Sequence, residues 1–184
     1  MSRITIPARE AVPQASKPLL DAVEKSLGSV PNLFRLIALS PTVLESYLGQ
    51  NGALAKTLDV KTRERIALAV AQVNGCDYCL SAHTYLGLNL AKLEADEIVL
   101  NRNGSSKDPK AATAVAFATK VAAERGRVGS ADLTELRDAG YSEGQIIEIV
   151  ALVAENIFTN FLNNVAGTEI DFPVVTAEDI SIAA

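Results

Sequence analysis

All of the thiol and imidazole chemistry of this chain lies within eight residues. Cys76 and Cys79 are its only cysteines and His83 is its only histidine, in the pattern Cys-x-x-Cys-x-x-x-His. On a helix that turns about 100° per residue, the three side chains share one stripe, and Cys79 and His83 are i,i+4 neighbours. An imidazole at that separation can accept a thiol proton or stabilise a thiolate. The segment is therefore most simply interpreted as a dithiol redox site.

Each of the two thiols has a physical route to activation. Cys76 follows Asn74-Gly75, a pair that suits the end of a helix, so it lies where a new helix begins and where unpaired amides can lower a thiol pKa from about 8.5. Cys79 has the imidazole of His83 one turn away. We favour Cys79 as the proton-relayed thiol and Cys76 as its disulfide partner, although the helix-start argument leaves the reverse order open.

The spacing also allows the cysteines to form a disulfide with each other. Two cysteines three residues apart in the first turn of a helix can form a tight, readily reduced disulfide. A thiolate oxidised by a peroxide becomes a sulfenic acid, which a second thiol one turn away can resolve. The pair therefore predicts a two-cysteine peroxidase.

Proton transfer needs a further group, and Glu64, twelve residues before Cys76, is a candidate. It precedes the apolar run IALAVA, where an inward-facing carboxylate would have a raised pKa suited to proton transfer. Glu64 could equally be a surface residue paired with a nearby lysine, because the spacing alone does not select it. Its neighbours Arg63 and Arg65 are expected to face solvent.

The elements that must position these residues are predicted to be helices. Apolar residues recur at helical spacing, and the alternation typical of strands is scarce. The pattern predicts one all-helical domain over residues 1–184, with an N-terminal arm at 1–14 and a C-terminal tail at 171–184. The predicted helices lie near 18–27, from 32, from 41 to about 55, from 59 to 74, from 76, 93–100, from 108 to 126, from 130, and from 142 to about 167.

Two further features of the pattern concern polar side chains near the predicted site. Asn156, Asn160, Asn163 and Asn164 run down one side of the last, largely apolar helix. We expect them to cap neighbouring helix ends or to bond across a subunit boundary, with a pocket lining as the alternative. Tyr78 is expected to be a packing residue, the alternative being a hydroxyl at the mouth of the site.

Composition argues against several classes of function. The net charge is -5 and the charges are dispersed, so we expect no nucleic-acid partner. The N-terminus lacks the apolar stretch of a secretion signal, and we expect no segment to reach the roughly 20 apolar residues that span a membrane. The expected location is the cytoplasm, where a structural disulfide is unusual and a close cysteine pair points to catalysis, redox exchange or metal binding.

A zinc site is the strongest competing interpretation, because Cys76, Cys79, His83 and Glu64 could supply four ligands. Structural zinc sites usually recruit a second ligand pair from elsewhere, however, and the chain has no other cysteine or histidine. Covalent haem attachment is excluded because Leu80, rather than a histidine, follows the second cysteine. Two buried thiols acting as small hydrophobic groups are the remaining alternative. We expect no metal or other cofactor.

The stretch LDVKTRERIALAVAQVNGCDYCLSAHTYLG, residues 58–87, resembles the core of the AhpD-like alkylhydroperoxidases of the carboxymuconolactone decarboxylase superfamily. The segments SVPNLFRLIALSPTVLESYLGQNGALA and NIFTNFLNNVAGTEIDFP resemble its peroxidase-related branch. The resemblance implies an antiparallel all-helical fold, a homo-oligomer, and reduction of organic hydroperoxides or hydrogen peroxide. The family's catalytic glutamate corresponds to Glu64, its two cysteines to Cys76 and Cys79, and its relay histidine to His83.

The sequence departs from the best-known members between the two cysteines. Those members have a second histidine directly before the second cysteine, whereas this chain has Asp77-Tyr78. A lipoyl-carrying partner reduces the disulfide in those members, and we expect an unidentified thiol or lipoyl-type reductant here.

Two other classes of function remain open for this chain. One is a non-redox enzyme, since relatives without the cysteine pair decarboxylate a lactone acid, and the other is a redox sensor whose disulfide changes assembly.

Overall fold

The computed structural model describes residues 2–179, and in this range the chain forms nine α-helices and no strand. The all-helical prediction is therefore confirmed. Met1 and the last five residues of the predicted tail, 180–184, lie outside the described residues. The helices are α1 Lys17–Leu27, α2 Asn32–Ile37, α3 Pro41–Leu54, α4 Val60–Val73, α5 Asp77–Asn89, α6 Ala95–Arg102, α7 Pro109–Ala123, α8 Ser130–Asp138 and α9 Glu143–Ala166.

Some helix ends follow the local chemistry of the sequence and others do not. Asp59 accepts the backbone N–H of Thr62 at 3.0 Å and so caps α4, while Ser142 opens α9 with a capping box. Ser40 occupies the N-cap position of α3, but its side chain makes no capping hydrogen bond. The helix predicted at 93–100 is observed as Ala95–Arg102, and the Asn101 amide bonds the Glu97 carboxylate one turn back at its C-terminal end.

Helix α4 is the centre of the molecule, and it packs against α5, α6, α7 and α9. Its residues 66–71 are all buried. Two apolar clusters meet there, each burying large side chains that contribute roughly 1.5 to 3 kcal/mol apiece. The thiol-side cluster includes Leu68 and Leu80 together with both cysteines. The far cluster lies among α4, α7, α8 and α9 and includes Phe117 and Leu136.

Helix α9 is long and apolar enough to cross a membrane by length and composition. The expectation that no segment reaches this limit is therefore wrong. The helix nevertheless packs on α3, α4, α5 and α7, and a core helix of a soluble protein meets the same criteria. One face buries Ile149 and Val153, whereas Ile147, Phe161 and Val165 are exposed on the outside. A homo-oligomer that would cover this outer face stays a prediction.

Candidate active site

The two cysteines are positioned by the junction between α4 and α5. Gly75, with a backbone φ of +58°, takes a left-handed conformation that most residues avoid, and the chain then enters α5 with Cys76 as its N-cap. The Cys76 sulfur accepts the backbone N–H of Cys79 at 3.3 Å. Both thiols are free and fully buried, at 0% and 2% exposure. The predicted N-terminal position of the motif is therefore what the structure shows.

The two thiols are electrostatically unequal. The pKa of Cys79 is lowered because a hydrogen bond from the Cys76 thiol, the charge of His83, and the amides of Asn163 and Asn160 together outweigh burial. The pKa of Cys76 is raised, because its hydrogen bond to Cys79 and its burial outweigh the backbone amide that favours its thiolate. The helix start does act on Cys76 as expected through the Cys79 amide, but the thiol hydrogen bond and burial act in the opposite direction more strongly. The geometry favours the thiolate at Cys79.

The imidazole of His83 is paired with the carboxylate of Glu64. The His83 Nδ1 and Glu64 Oε2 atoms are 2.8 Å apart, and the side chains are 23% and 13% exposed. Burial lowers the pKa of His83, but the charge and hydrogen bond of Glu64 outweigh it and raise the pKa overall. Glu64 is thus an inward residue rather than a surface partner of a lysine. Since Nδ1 is engaged, Nε2 is left to exchange a proton with a thiol or water.

The asparagines of α9 have two different roles. Asn164 donates to the Asn74 carbonyl at 3.0 Å, and Asn160 accepts from the Asn74 side chain at 2.9 Å, so both tie down the end of α4. The expected capping role is confirmed for Asn164. Asn163 instead donates from Nδ2 to the Cys79 sulfur at 3.3 Å. That contact with the thiol was not expected from the sequence, although Asn163 shares a helical face with Asn160.

The two residues between the cysteines hold the C-terminal tail. The Tyr78 hydroxyl donates to Asp171 at 2.9 Å and accepts the backbone N–H of Leu33 at 3.0 Å. The Asp77 carboxylate accepts the backbone N–H of Ala177 at 2.8 Å. Tyr78 is 4% exposed and packs in the thiol-side cluster, as expected. The hydroxyl of Tyr78 is engaged by the tail and by α2, so it is not free for the alternative role at the site.

Sequence reasoning missed two residues beside the relay, Glu155 on α9 and Tyr47 on α3. Glu155 is 6% exposed, and its pKa is raised because burial outweighs the stabilising effects of neighbouring groups that include His83. The pKa of Tyr47 is raised by burial and then by the negative charges of Glu155, Cys79 and Glu64. The one signal for Glu155 in the sequence is the presence of a charged residue directly before Asn156 on a largely apolar helix.

Arg65 also differs from its prediction. It is only 9% exposed, and its Nε atom lies 2.7 Å from Oε1 of Glu97. The packing of α6 against α4 brings this carboxylate to the guanidinium. The expectation that Arg65 faces solvent is therefore wrong, and the pair joins α4 to α6.

The residues of the zinc alternative are used in pairs rather than as one ligand set. The thiols of Cys76 and Cys79 share a hydrogen bond, and the imidazole of His83 binds the carboxylate of Glu64. Across residues 2–179, no three histidine, cysteine, aspartate or glutamate side chains are grouped so that they could hold a metal ion. The four side chains are therefore arranged as a thiol pair and an imidazole–carboxylate pair.

Comparison with known sequences gives a family match around this site. Residues 41–120, which contain the four candidate residues, match the Carboxymuconolactone decarboxylase family. An uncharacterized protein from Haemophilus influenzae is 43% identical over 63 residues, which are 33% of this chain and 50% of that protein. The chain therefore matches about half the length of this curated relative.

Comparison with solved structures extends the likeness to nearly the whole chain. The alkylhydroperoxidase AhpD core of an uncharacterized peroxidase-related protein from Ralstonia eutropha JMP134 is 27% identical, with a TM-score of 0.81 and 92% of each chain covered. The debrominase Bmp8, solved as a cysteine-to-alanine variant with 2,3,4-tribromopyrrole, shares the fold at 22% identity, a TM-score of 0.77, and coverage of 93% and 94%. The family match over residues 41–120 and the likeness to the Ralstonia protein support a place for this chain in the AhpD-like group of the carboxymuconolactone decarboxylase superfamily, while the likeness to Bmp8 shows the shared helical fold alone.

Proposed function

We propose that this chain is a thiol peroxidase that reduces hydroperoxides through a cycle of Cys76 and Cys79. The observation that carries the proposal is the environment of the Cys79 sulfur. It accepts a hydrogen bond from Asn163 and another from the Cys76 thiol, and the charge of His83 acts on it. These groups favour the thiolate, which is the form of cysteine that attacks a peroxide.

In the first step the Cys79 thiolate attacks the terminal oxygen of the hydroperoxide. A sulfur–oxygen bond forms, the oxygen–oxygen bond breaks, and the organic part leaves as an alkoxide. The proton that Cys79 gave up is held by His83, which Glu64 orients through Nδ1, and it passes to the alkoxide to give an alcohol. Sulfur is thereby oxidised to a sulfenic acid while the peroxide is reduced.

In the second step the Cys76 sulfur attacks the sulfur of the Cys79 sulfenic acid. A disulfide bond forms, the sulfur–oxygen bond breaks, and the oxygen leaves as water with the thiol proton of Cys76. The Cys76 sulfur lies 3.3 Å from the backbone nitrogen of Cys79 before oxidation, which supports a short approach of one sulfur to the other. An external thiol or dithiol then returns two electrons and two protons to the pair.

The comparisons support a peroxidase-type role in general, and the individual steps of the cycle are our proposal. The Ralstonia protein is described as peroxidase-related and is similar over nearly all of both chains. The non-redox alternative predicts an activity that survives replacement of both cysteines by serine. The sensor alternative predicts slow oxidation that changes oligomer size without turning over peroxide.

Stopped-flow mixing of the reduced protein with cumene hydroperoxide or hydrogen peroxide tests the cycle. The wild type is expected to form one disulfide per chain, measured by loss of free thiols and by mass spectrometry. Cys79→Ser is expected to lose the reaction entirely, whereas Cys76→Ser is expected to stop at a sulfenic acid that dimedone captures. Tyr85→Phe, an exposed change on the same helix, is the control and is expected to react normally.

Three outcomes would contradict the proposed cycle. Sulfenic acid on Cys76 in the Cys79→Ser variant would reverse the order of the two thiols. Oxidation that is slow, stoichiometric and accompanied by a new oligomer size would favour the sensor. Faster thiol oxidation with 2,3,4-tribromopyrrole, the ligand named for Bmp8, than with either peroxide would replace peroxide reduction by reductive dehalogenation.

A further inference from the structure

A cavity of about 370 Å³ opens between α3 and α9. Its walls are mainly apolar and aromatic, and the lining side chains include Val43, Tyr47, Gln50, Ala154, Glu155 and Phe158. A cavity of this volume with a few polar groups is typical of sites for small organic molecules, which usually measure about 300 to 1,000 Å³. Its position on α9 places it on the same helix that supplies Asn163 to the Cys79 sulfur.

Glu155 is a group in this cavity whose hydrogen bonding is incomplete, because Asn51 acts on its carboxyl group while one of its oxygens is left unpaired among the described residues. Its side chain is buried, and within residues 2–179 its Oε1 atom has no hydrogen-bond partner. Leaving a buried polar atom unpaired costs roughly 1 to 3 kcal/mol, so such an atom calls for a reason. Burial raises the pKa of this carboxyl group, and its unpaired Oε1 atom belongs to a residue that lines the cavity, where it can form a hydrogen bond with a ligand hydroxyl group.

Two residues that line the cavity, Tyr47 and Glu155, link it to the surroundings of the proposed proton relay. Tyr47 lines the cavity and also packs against the thiol-side cluster that contains both cysteines. The charges of Cys79 and Glu64 act on Tyr47, and the charge of His83 acts on Glu155. A molecule in the cavity would therefore contact two residues on which the charges of the imidazole, the Cys79 sulfur and Glu64 act.

We propose that this cavity binds the organic part of an uncharged hydroperoxide and that Glu155 is its hydrogen-bonding anchor. The proposal rests on the proposed peroxidase function and adds a substrate class to it. The volume and the apolar walls suit a compact aromatic or branched group such as that of cumene hydroperoxide. Among the described residues no lysine or arginine lines the cavity, so an anionic substrate would find no counter-charge there.

Binding of an unreactive ligand pair tests the cavity without any chemistry. The probes are 2-phenyl-2-propanol, the alcohol product of cumene hydroperoxide, and cumene, which has nearly the same shape without the hydroxyl group. We expect the wild type, measured by ligand-observed NMR titration, to bind the alcohol about fivefold more tightly than cumene, because one neutral hydrogen bond is worth roughly 1 kcal/mol. Glu155→Leu is expected to remove this preference and Glu155→Gln to retain it.

Blocking the cavity mouth supplies the second arm of the experiment. Ala154 is an exposed lining residue, so Ala154→Phe is expected to fill the mouth and weaken binding of both probes at least tenfold. Ile147→Phe, at a 70% exposed site on the same helix outside the cavity, is the matched control and is expected to leave both affinities unchanged. In turnover, Ala154→Phe is expected to lower kcat/KM for cumene hydroperoxide about tenfold relative to hydrogen peroxide.

The outcomes separate this proposal from the peroxidase proposal. Alcohol binding that neither Ala154→Phe nor Glu155→Leu weakens, or no binding by the wild type, would overturn the cavity assignment even if peroxide is consumed. If both variants weaken probe binding but the thiols react with no peroxide, the cavity assignment would be supported and the peroxidase function would be ruled out. If Ala154→Phe does not fold, the comparison of Glu155→Leu with Glu155→Gln decides the question.

Discussion

The thiol-side cluster and the far cluster meet at α4 but differ in what they bury. The far cluster is filled by apolar side chains such as Phe117, Leu136 and Ile149. Helices α7 and α8 contribute none of the buried side-chain polar atoms that lack a hydrogen-bond partner within residues 2–179. Near the thiols, by contrast, α9 contributes Oε1 of Glu155 and Oδ1 of Asn163 to that set.

The two clusters on either side of α4 therefore differ in their contribution: the far cluster affects the stability of the fold, and the thiol-side cluster affects the reactivity of the thiols. Apolar burial in the far cluster stabilises the fold without any role in the chemistry. Each unpaired polar atom near the thiols destabilises the fold by roughly 1 to 3 kcal/mol, which is the pattern of a site shaped for a ligand or a charge. Substitutions on the two sides should therefore change different measurements.

The largest expected effect is on stability and comes from the far cluster. Phe117 is 4% exposed, so Phe117→Ala removes a buried ring and leaves a cavity, for an expected loss of about 3 to 5 kcal/mol in the free energy of unfolding. Urea denaturation measures the loss. The alkylation rate of the thiols in the remaining folded protein is expected to stay within twofold of wild type.

Phe117→Leu is the control, because it keeps most of the volume and is expected to cost less than about 1.5 kcal/mol. A large change in thiol alkylation caused by Phe117→Ala under conditions where the protein is folded would show that the two clusters are coupled. The proposed separation of stability in the far cluster from reactivity near the thiols would then be wrong.

A smaller effect, and on reactivity alone, is expected at Asn163. Asn163→Leu removes the amide that donates to the Cys79 sulfur at 3.3 Å. Hydrogen bonds to charged groups are worth about 1.5 to 3 kcal/mol, so the pKa of Cys79 should rise and alkylation at pH 7 should slow about tenfold or more. Stability should be unchanged or increased, because the unpaired Oδ1 atom is removed as well.

Asn156→Leu on the same buried face of α9 is the matched control. Its amide donates to the Leu152 carbonyl of its own helix rather than to a sulfur. The alkylation rate is expected to stay at the wild-type value. Equal slowing in both variants would mean that the asparagines act through the packing of α9 and not through the thiolate.

The distinction between local signals and contacts across the fold explains which features the sequence could predict. Helix bounds follow from local signals such as Asp59, Ser142 and the glycine that reverses the chain after α4. The positions of Cys76 and Cys79 follow from the same local rules, because the motif starts a helix. Apolar periodicity likewise predicted the interior of α4 and α9.

Contacts between helices distant in sequence could not be predicted in this way. Arg65 meets Glu97 only because α6 packs on α4, and Asn163 meets Cys79 across 84 positions. The environment of Glu155 depends on α3 lying beside α9. Spacing along one helix identifies a shared face, but it does not say which helix that face will meet. The candidate relay was therefore named from motif and resemblance, and its surroundings emerged from the fold.

The smallest expected effect is on the free energy of unfolding and comes from the pair of Glu64 and His83. Because the pKa of His83 is raised in the folded protein, the pair contributes stability fully below the unfolded pKa of about 6.5, and that contribution is lost as pH rises through the folded value. Glu64→Gln is therefore expected to lower the free energy of unfolding by about 1 kcal/mol at pH 6 and by less at pH 9. Urea denaturation at the two pH values measures both differences.

Glu45→Gln is the control for this prediction, because it removes the same charge from an exposed position on α3. It is expected to change stability by less than about 0.5 kcal/mol with no trend in pH. A loss in Glu64→Gln that stays constant or grows towards pH 9 would mean that a neutral imidazole makes the same bond. His83 would then be held as a structural group, and the charge that acts on the Cys79 thiolate would need another source.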